Sequence, residues 1–210
     1  MLYLSRVEID STNRRKLKNL THLGAYHDWV EKCFPEEIKN HERQRHLWRI
    51  DDFKGKSYLL LLSSDRPDEE ELLRYGVDGT VMVRNYDEFM DKLNVGQIMM
   101  FKLTANPTHC KDGKVYPHVT VEQQSKWLLD RAKGLGFDIL ESDGIPSFSV
   151  INREWQVLKR KGGRSVKLSK VTYQGYLKIV NLDLFRSALL KGVGREKAFG
   201  MGLMTVIPKG

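Results

Sequence analysis

Between positions 192 and 202 the chain reads Gly192-Val193-Gly194-Arg195-Glu196-Lys197-Ala198-Phe199-Gly200-Met201-Gly202, which sets Gly192, Gly194, Gly200 and Gly202 around the cations Arg195 and Lys197. Glycine lets backbone N–H groups approach an anion closely, and fixed positive charge adds to the attraction, so the composition suits a phosphate. The competing reading is a tight helix-to-strand connection whose glycines only supply positive φ angles. A second cluster, Lys159-Arg160-Lys161-Gly162-Gly163-Arg164 with Lys167 and Lys170 beyond it, lies between Trp155-Gln156-Val157 and Val171-Thr172-Tyr173. Apolar strands around a Gly-Gly pair predict a β-hairpin. Lysines often protect an exposed sheet edge, but this many cations at one tip exceed that need and favour contact with a nucleic acid. Lys159, Arg160, Lys161, Arg164, Arg195 and Lys197 are therefore the candidate RNA-binding residues.

The rest of the composition narrows the field. Lys and Arg total 35 against 27 Asp and Glu, a formal net charge of +8, which favours a polyanionic partner. Cys33 and Cys110 are the only cysteines and have no metal-ligand spacing, so neither a disulfide framework nor a zinc site is expected and a reducing cytoplasm fits best. Met1 to Asp10 shows no long apolar run or cleavage-site pattern, and no segment approaches a membrane span, so no membrane association is expected. No small-molecule cofactor motif occurs. His118-Val119-Thr120-Val121 matches one half of a two-histidine phosphoesterase pattern, but no second half exists; Thr120 with Gln123 reads instead as a capping box. Asp68-Glu69-Glu70-Glu71 suits a helix N-terminus better than a metal site.

The elements that must position these residues follow from periodicity. Leu2 to Ile9 alternates like a strand and leads into a basic helical segment, Arg14 to Asn19. His46 to Ile50 and Ser57 to Leu62 read as strands joined by a turn at Asp51 to Gly55. Pro67 to Tyr75 reads as a short acidic helix and Thr80 to Val83 as a strand. A similar order follows Asn94-Val95-Gly96: a strand at Gln97 to Leu103, a helix at Glu122 to Leu135, strands across 146–180, a short helix near Leu184 to Leu190 and a last strand near Leu203 to Ile207. The expected class is α+β, two tandem ferredoxin-like (RRM-like) domains with antiparallel sheets, spanning 1–93 and 94–210. That scaffold serves RNA recognition and also metabolic enzymes, so function rests on the sites.

The stretch Gly-Val-Gly-x-x-Lys-Ala-x-Gly-x-Gly-Leu before a final strand resembles the C-terminal signature of the CRISPR-associated repeat endoribonucleases, and within them the CasE branch, the Cascade subunit of type I-E systems. Further matches lie in order along the chain: Tyr3-Leu4-Ser5-Arg6-Val7, a histidine seven residues before Phe34-Pro35, Ala105-Asn106-Pro107, and Trp127-Leu128. The resemblance implies that a histidine at the start of the helix after the first strand serves cleavage. His27 matches by its spacing, and His22 is the rival. Family members often carry a tyrosine three residues before that histidine; here Gly24 holds that position and Tyr26 lies adjacent, so Tyr26 is the candidate for any tyrosine role. Lys32 is the candidate for stabilising charge in the transition state. The implied partners are a CRISPR repeat RNA stem-loop and the other Cascade subunits.

The implied chemistry requires no metal. The RNA 2′-hydroxyl attacks the adjacent phosphate, leaving a 2′,3′-cyclic phosphate and releasing a 5′-hydroxyl strand. An imidazole can accept the attacking proton or supply one to the leaving oxygen. Two other readings stay open: a non-catalytic RNA-hairpin-binding or assembly subunit of the same fold, and a ferredoxin-like metabolic enzyme.

Overall fold

In β1 (Tyr3–Glu8) Ser5 and Val7 are buried and Arg6 between them is exposed, the period-two pattern of a strand with one covered face. The computed structural model describes residues 1–158 and 165–209. The basic segment after β1 makes only a single turn, α1 (Arg14–Leu17), capped by the Asn13 side chain. The full-length helix comes later, as α2 (Leu23–Lys32), because it is Trp29 and Val30 that supply a buried face. α3 (Pro35–Lys39) starts at a proline, whose missing N–H costs nothing at a helix's first position.

β2 (Leu47–Phe53) and β3 (Lys56–Ser63) pair antiparallel. They turn on Lys54 and Gly55 alone, both with positive φ (51° and 75°), the two-residue hairpin geometry whose twist matches the flanking strands. Asp51, Asp52 and Phe53 are thus strand and not turn. In α4 (Glu69–Leu73) the Asp68 carboxylate accepts from the N–H groups of Glu70 and Glu71, so the acidic run is a helix start. β4 (Met82–Asn85) and α5 (Asp87–Asp91) follow. The sheet order β2-β3-β1-β4, antiparallel throughout, is the ferredoxin-like arrangement. Val7, Trp29, Val30, Trp48, Leu59, Leu61 and Leu72 form its core.

The same order recurs. β5 (Ile98–Ala105) is followed by a hairpin, β6 (Thr108–Lys111) and β7 (Lys114–Pro117), that the periodicity did not reveal. α6 (Val121–Ala132) opens on the Thr120–Gln123 capping box and continues into a 3₁₀ turn at Lys133–Leu135. β8 (Phe137–Ile139) and a small hairpin, β9 (Glu141–Ser142) and β10 (Ile145–Pro146), precede the long strands β11 (Phe148–Leu158) and β12 (Val166–Ile179). α7 (Leu182–Lys191), a 3₁₀ turn at Lys197–Phe199 and β13 (Met204–Pro208) complete the chain. The order β11-β12-β5-β13 repeats the first sheet's, with β8 added against β12. Phe101, Leu103, Trp127, Phe137, Tyr173 and Phe185 are buried there, each contributing about 1.5–3 kcal/mol by burial.

The chain divides into two compact units: Met1–Asp91 with Lys197–Gly200, and Lys92–Glu196 with Met201–Gly210. Among the described residues no helix is long and apolar enough to cross a membrane. No group of three or more His, Cys, Asp or Glu is placed to hold a metal ion among those residues.

Candidate active site

α2 places the two candidate histidines differently. His22 is its N-cap: the ring Nδ1 accepts a hydrogen bond from the Ala25 N–H at 3.2 Å, which commits that nitrogen to the helix end. A Cβ at Gly24 would lie 3.1 Å from the same nitrogen, so a larger residue there would crowd the capping ring. His27 lies more than a turn further on. Its side chain is 32% exposed, its Nδ1 is 3.8 Å from Glu31 Oε1, and its ring meets Phe199 edge-on with centroids 5.8 Å apart. Tyr26, one residue earlier, is rotated about 100° around the helix and packs on the core, stacked on Trp48 at 6.0 Å. Burial, followed by repulsion from Asp52, raises its pKa above the ordinary 10.0. Its contacts are those of a core residue, so the structure does not bring Tyr26 to the His27 ring.

Behind His27 stands a set of groups that sequence reasoning did not single out. Glu31 Oε1 also faces Nδ1 of His46 at 3.4 Å, and His46 Nε2 faces Glu37 Oε1 at 3.0 Å. His46 is buried and stacks flat on Phe34, with centroids 3.7 Å apart at 9°. The hydrogen bond from His46, aided by the charges of His27, His46 and Arg43 and opposed by burial, holds the Glu31 carboxyl below its usual range. Glu31 is therefore an anion at neutral pH, held facing the catalytic candidate. One signal was visible in advance: Glu31 is four residues from His27, the spacing that puts two side chains on one helix face. His46 gave none, since its pairing depends on β2 lying beside α2.

Lys32 and His27 line one cleft of about 510 Å³ with Asp28, Glu31 and Arg43. The Lys32 Nζ is 2.7 Å from Asp28 Oδ2, an exposed i,i+4 ion pair. Lys197 begins the 3₁₀ turn that packs against α2 and β2. Burial, then repulsion from Arg45, lowers its pKa below the ordinary 10.5.

The glycines of the 192–202 loop serve the backbone first. Gly192, Gly194, Gly200 and Gly202 all have positive φ. The N–H groups of Gly192, Val193 and Gly202 donate to the carbonyls of Ala188, Gly202 and Thr104, so Gly192 and Gly202 are not available to cradle an anion, contrary to expectation. A Cβ at Gly200 would lie 2.6 Å from the Trp48 ring, and one at Gly194 would lie 3.2 Å from Trp127. Arg195 is exposed and bridges Asn106. Lys159, Arg160, Lys161 and Arg164 lie outside the described residues; β11 and β12 on either side pair antiparallel up to Leu158 and Val166.

The fold recurs in known proteins. The chain is 26% identical to the CRISPR-associated endoribonuclease Cse3 of Thermus thermophilus over 99% of this chain and 100% of that protein. The Thermus thermophilus Cse3 structure bound to an RNA representing a pre-cleavage complex matches with a TM-score of 0.83, at 24% identity, over 99% of both chains. Cas6e from Escherichia coli K-12 matches with a TM-score of 0.66, at 20% identity, over 99% of this chain and 100% of that one. Both establish the tandem ferredoxin-like fold. The family described as CRISPR associated protein matches residues 2–208, and the chain belongs to that family.

Proposed function

We propose that this chain is a metal-independent endoribonuclease that cuts CRISPR repeat hairpins in precursor RNA and stays bound to the product as a Cascade subunit. The observation that carries the reading is the position of His27: its ring is partly exposed in a cleft, backed by the Glu31 carboxylate and edged by Phe199 of the glycine-rich loop. Because Nδ1 faces Glu31, Nε2 is the nitrogen left to exchange a proton with RNA. It takes the proton of the 2′-hydroxyl as that oxygen attacks phosphorus, or gives one to the departing 5′-oxygen. Lys32, beside it in the cleft, adds positive charge near the phosphorane. The first unit carries this chemistry. The basic segment with Lys159, Arg160, Lys161 and Arg164, together with Lys197, holds the repeat stem-loop by its phosphates, and Arg195 contacts the phosphate backbone of the same RNA. The relative named Cse3 is itself called an endoribonuclease, which supports the activity, and the cytoplasm is where such an RNA is met.

Incubating the protein and its His27→Ala variant with the repeat RNA of its own genome, in EDTA, tests the proposal. Wild type is expected to cut once beside the stem. The variant is expected to lose about 10²–10⁴ in rate with little change in affinity. Equal rates for the two proteins would reject His27, and tight binding by wild type with no cleavage would favour an assembly subunit without catalysis.

A further inference from the structure

Two motifs of the resemblance, Ala105-Asn106-Pro107 and Trp127-Leu128, play no part in the cleavage chemistry, yet they meet in the second unit. Asn106 and Trp127 line a pocket of about 280 Å³ with His109, Cys110, Arg131 and Arg195. That lining holds two guanidinium groups and no carboxylate. The Arg131 guanidinium lies 4.5 Å over the Trp127 ring and donates to the Trp127 carbonyl at 3.0 Å. Burial lowers its pKa, opposed by the negative charge of Asp130, which lies outside the pocket lining. The exposed His109 ring stacks with Tyr116 and sits 4.8 Å from His118. Gly194 lets the loop close onto Trp127 and so sets Arg195 at the rim.

One atom of a lining residue is buried and unpaired. Asn106 is 4% exposed, and its Oδ1 has no hydrogen-bond partner. Buried polar atoms are nearly always paired, so an orphan acceptor in a pocket lining marks a place for a donor. Phosphate oxygens satisfy the arginines but offer Asn106 little, whereas the amino groups of nucleobases are donors. A ring such as that of His109 gives a base a surface to stack on. The volume admits a single nucleotide and no duplex, and base pairing would hide the edge that Asn106 reads.

We infer that this pocket binds one unpaired ribonucleotide flanking the repeat hairpin, with its phosphate on Arg131 and Arg195, its base against His109 and a base amino group on Asn106. The inference rests on RNA being the ligand of the chain but not on cleavage.

Cys110 makes the test direct, because it is exposed and lines the pocket. Cys33 is fully buried, and burial pushes its thiol up to about 12, so it stays silent at neutral pH. The measurement is the rate of Cys110 alkylation by iodoacetamide in the full chain, in the presence of AMP, GMP, CMP, UMP, inorganic phosphate, a blunt repeat hairpin, or the hairpin with single-stranded flanks. At least one mononucleotide and the flanked hairpin are expected to protect Cys110, whereas phosphate and the blunt hairpin leave it reactive. Arg195→Ala is expected to weaken protection about tenfold. Labelling unchanged by every nucleotide and by flanked RNA would overturn the inference, as would equal protection by blunt and flanked hairpins. Protection by free mononucleotides alone would overturn the assignment to RNA. A protein that cleaves repeat RNA but leaves Cys110 unprotected loses only this pocket. One protected by flanked RNA that never cleaves loses only the endoribonuclease reading.

Discussion

The cleft beside His27 brings Asp28, Glu31, Glu37 and Glu42 to the same surface as Lys32, His41 and Arg43, whereas the pocket of the second unit presents Arg131, Arg195 and His109 with no carboxylate. In the first region three of the four acids are occupied: Asp28 holds Lys32, and Glu31 and Glu37 hold His46. Moving a proton calls for an oriented imidazole, and fixed carboxylates supply the orientation. Retaining a polyanion calls for uncompensated positive charge, and carboxylates would defeat it. The proposed roles, proton transfer in the first region and phosphate retention in the second, account for the difference in charge.

Each unit packs a tryptophan beneath a glycine of the same loop, Trp48 under Gly200 and Trp127 under Gly194. Both glycines have positive φ, but the space above the ring is tighter at Gly200. Gly200→Ala is expected to cost about 2–3 kcal/mol from strain plus overpacking. Gly194→Ala is expected to cost about 1 kcal/mol, chiefly from backbone strain. Urea unfolding midpoints measure both, and equal losses would show that the two contacts are not distinguished by fit.

A smaller effect is expected from the carboxylate that backs His27. The folded-state pKa of Glu31 lies below its ordinary 4.5. Its stabilising contribution is therefore fully present above that ordinary value and is lost as pH falls through the folded value. Glu31→Gln removes the contribution, so the gap in Tm between wild type and variant should be constant from neutral pH down to about 5 and should narrow below 4.5. A gap that stays unchanged as pH falls well below 4.5 would show that the groups facing Glu31, which are His27, His46 and Arg43, do not hold it as an anion.

The repeated element order was legible because each strand and helix carries its own periodicity: Ser5 and Val7 mark β1, and Thr120 with Gln123 marks the start of α6. The helix expected at Arg14 to Asn19 is present but is a single turn, because it buries no residue, and the longer α2 was missing from the expected element order because burial of Trp29 and Val30 overrides local propensity. The hairpin at Thr108–Pro117 escaped notice because its exposed Val115 and Tyr116 give no alternation. In the site, the preference for His27 over His22 came from its spacing to Phe34-Pro35, and the cap made by His22 supplies a physical reason for it. His46 and Phe199 remained hidden because their contacts join residues far apart in the chain: the Trp48 indole that anchors the loop donates to the carbonyl of Ala198, 150 positions away. No local pattern encodes such a pair.

The central claim is that the RNA supplies its own nucleophile and His27 moves the proton. It is tested most directly with a repeat RNA carrying 2′-deoxyribose at the nucleotide before the cut, assayed for binding and cleavage by the wild-type protein. The account predicts unchanged affinity and an intact strand. Cleavage of that strand at the usual position would contradict it.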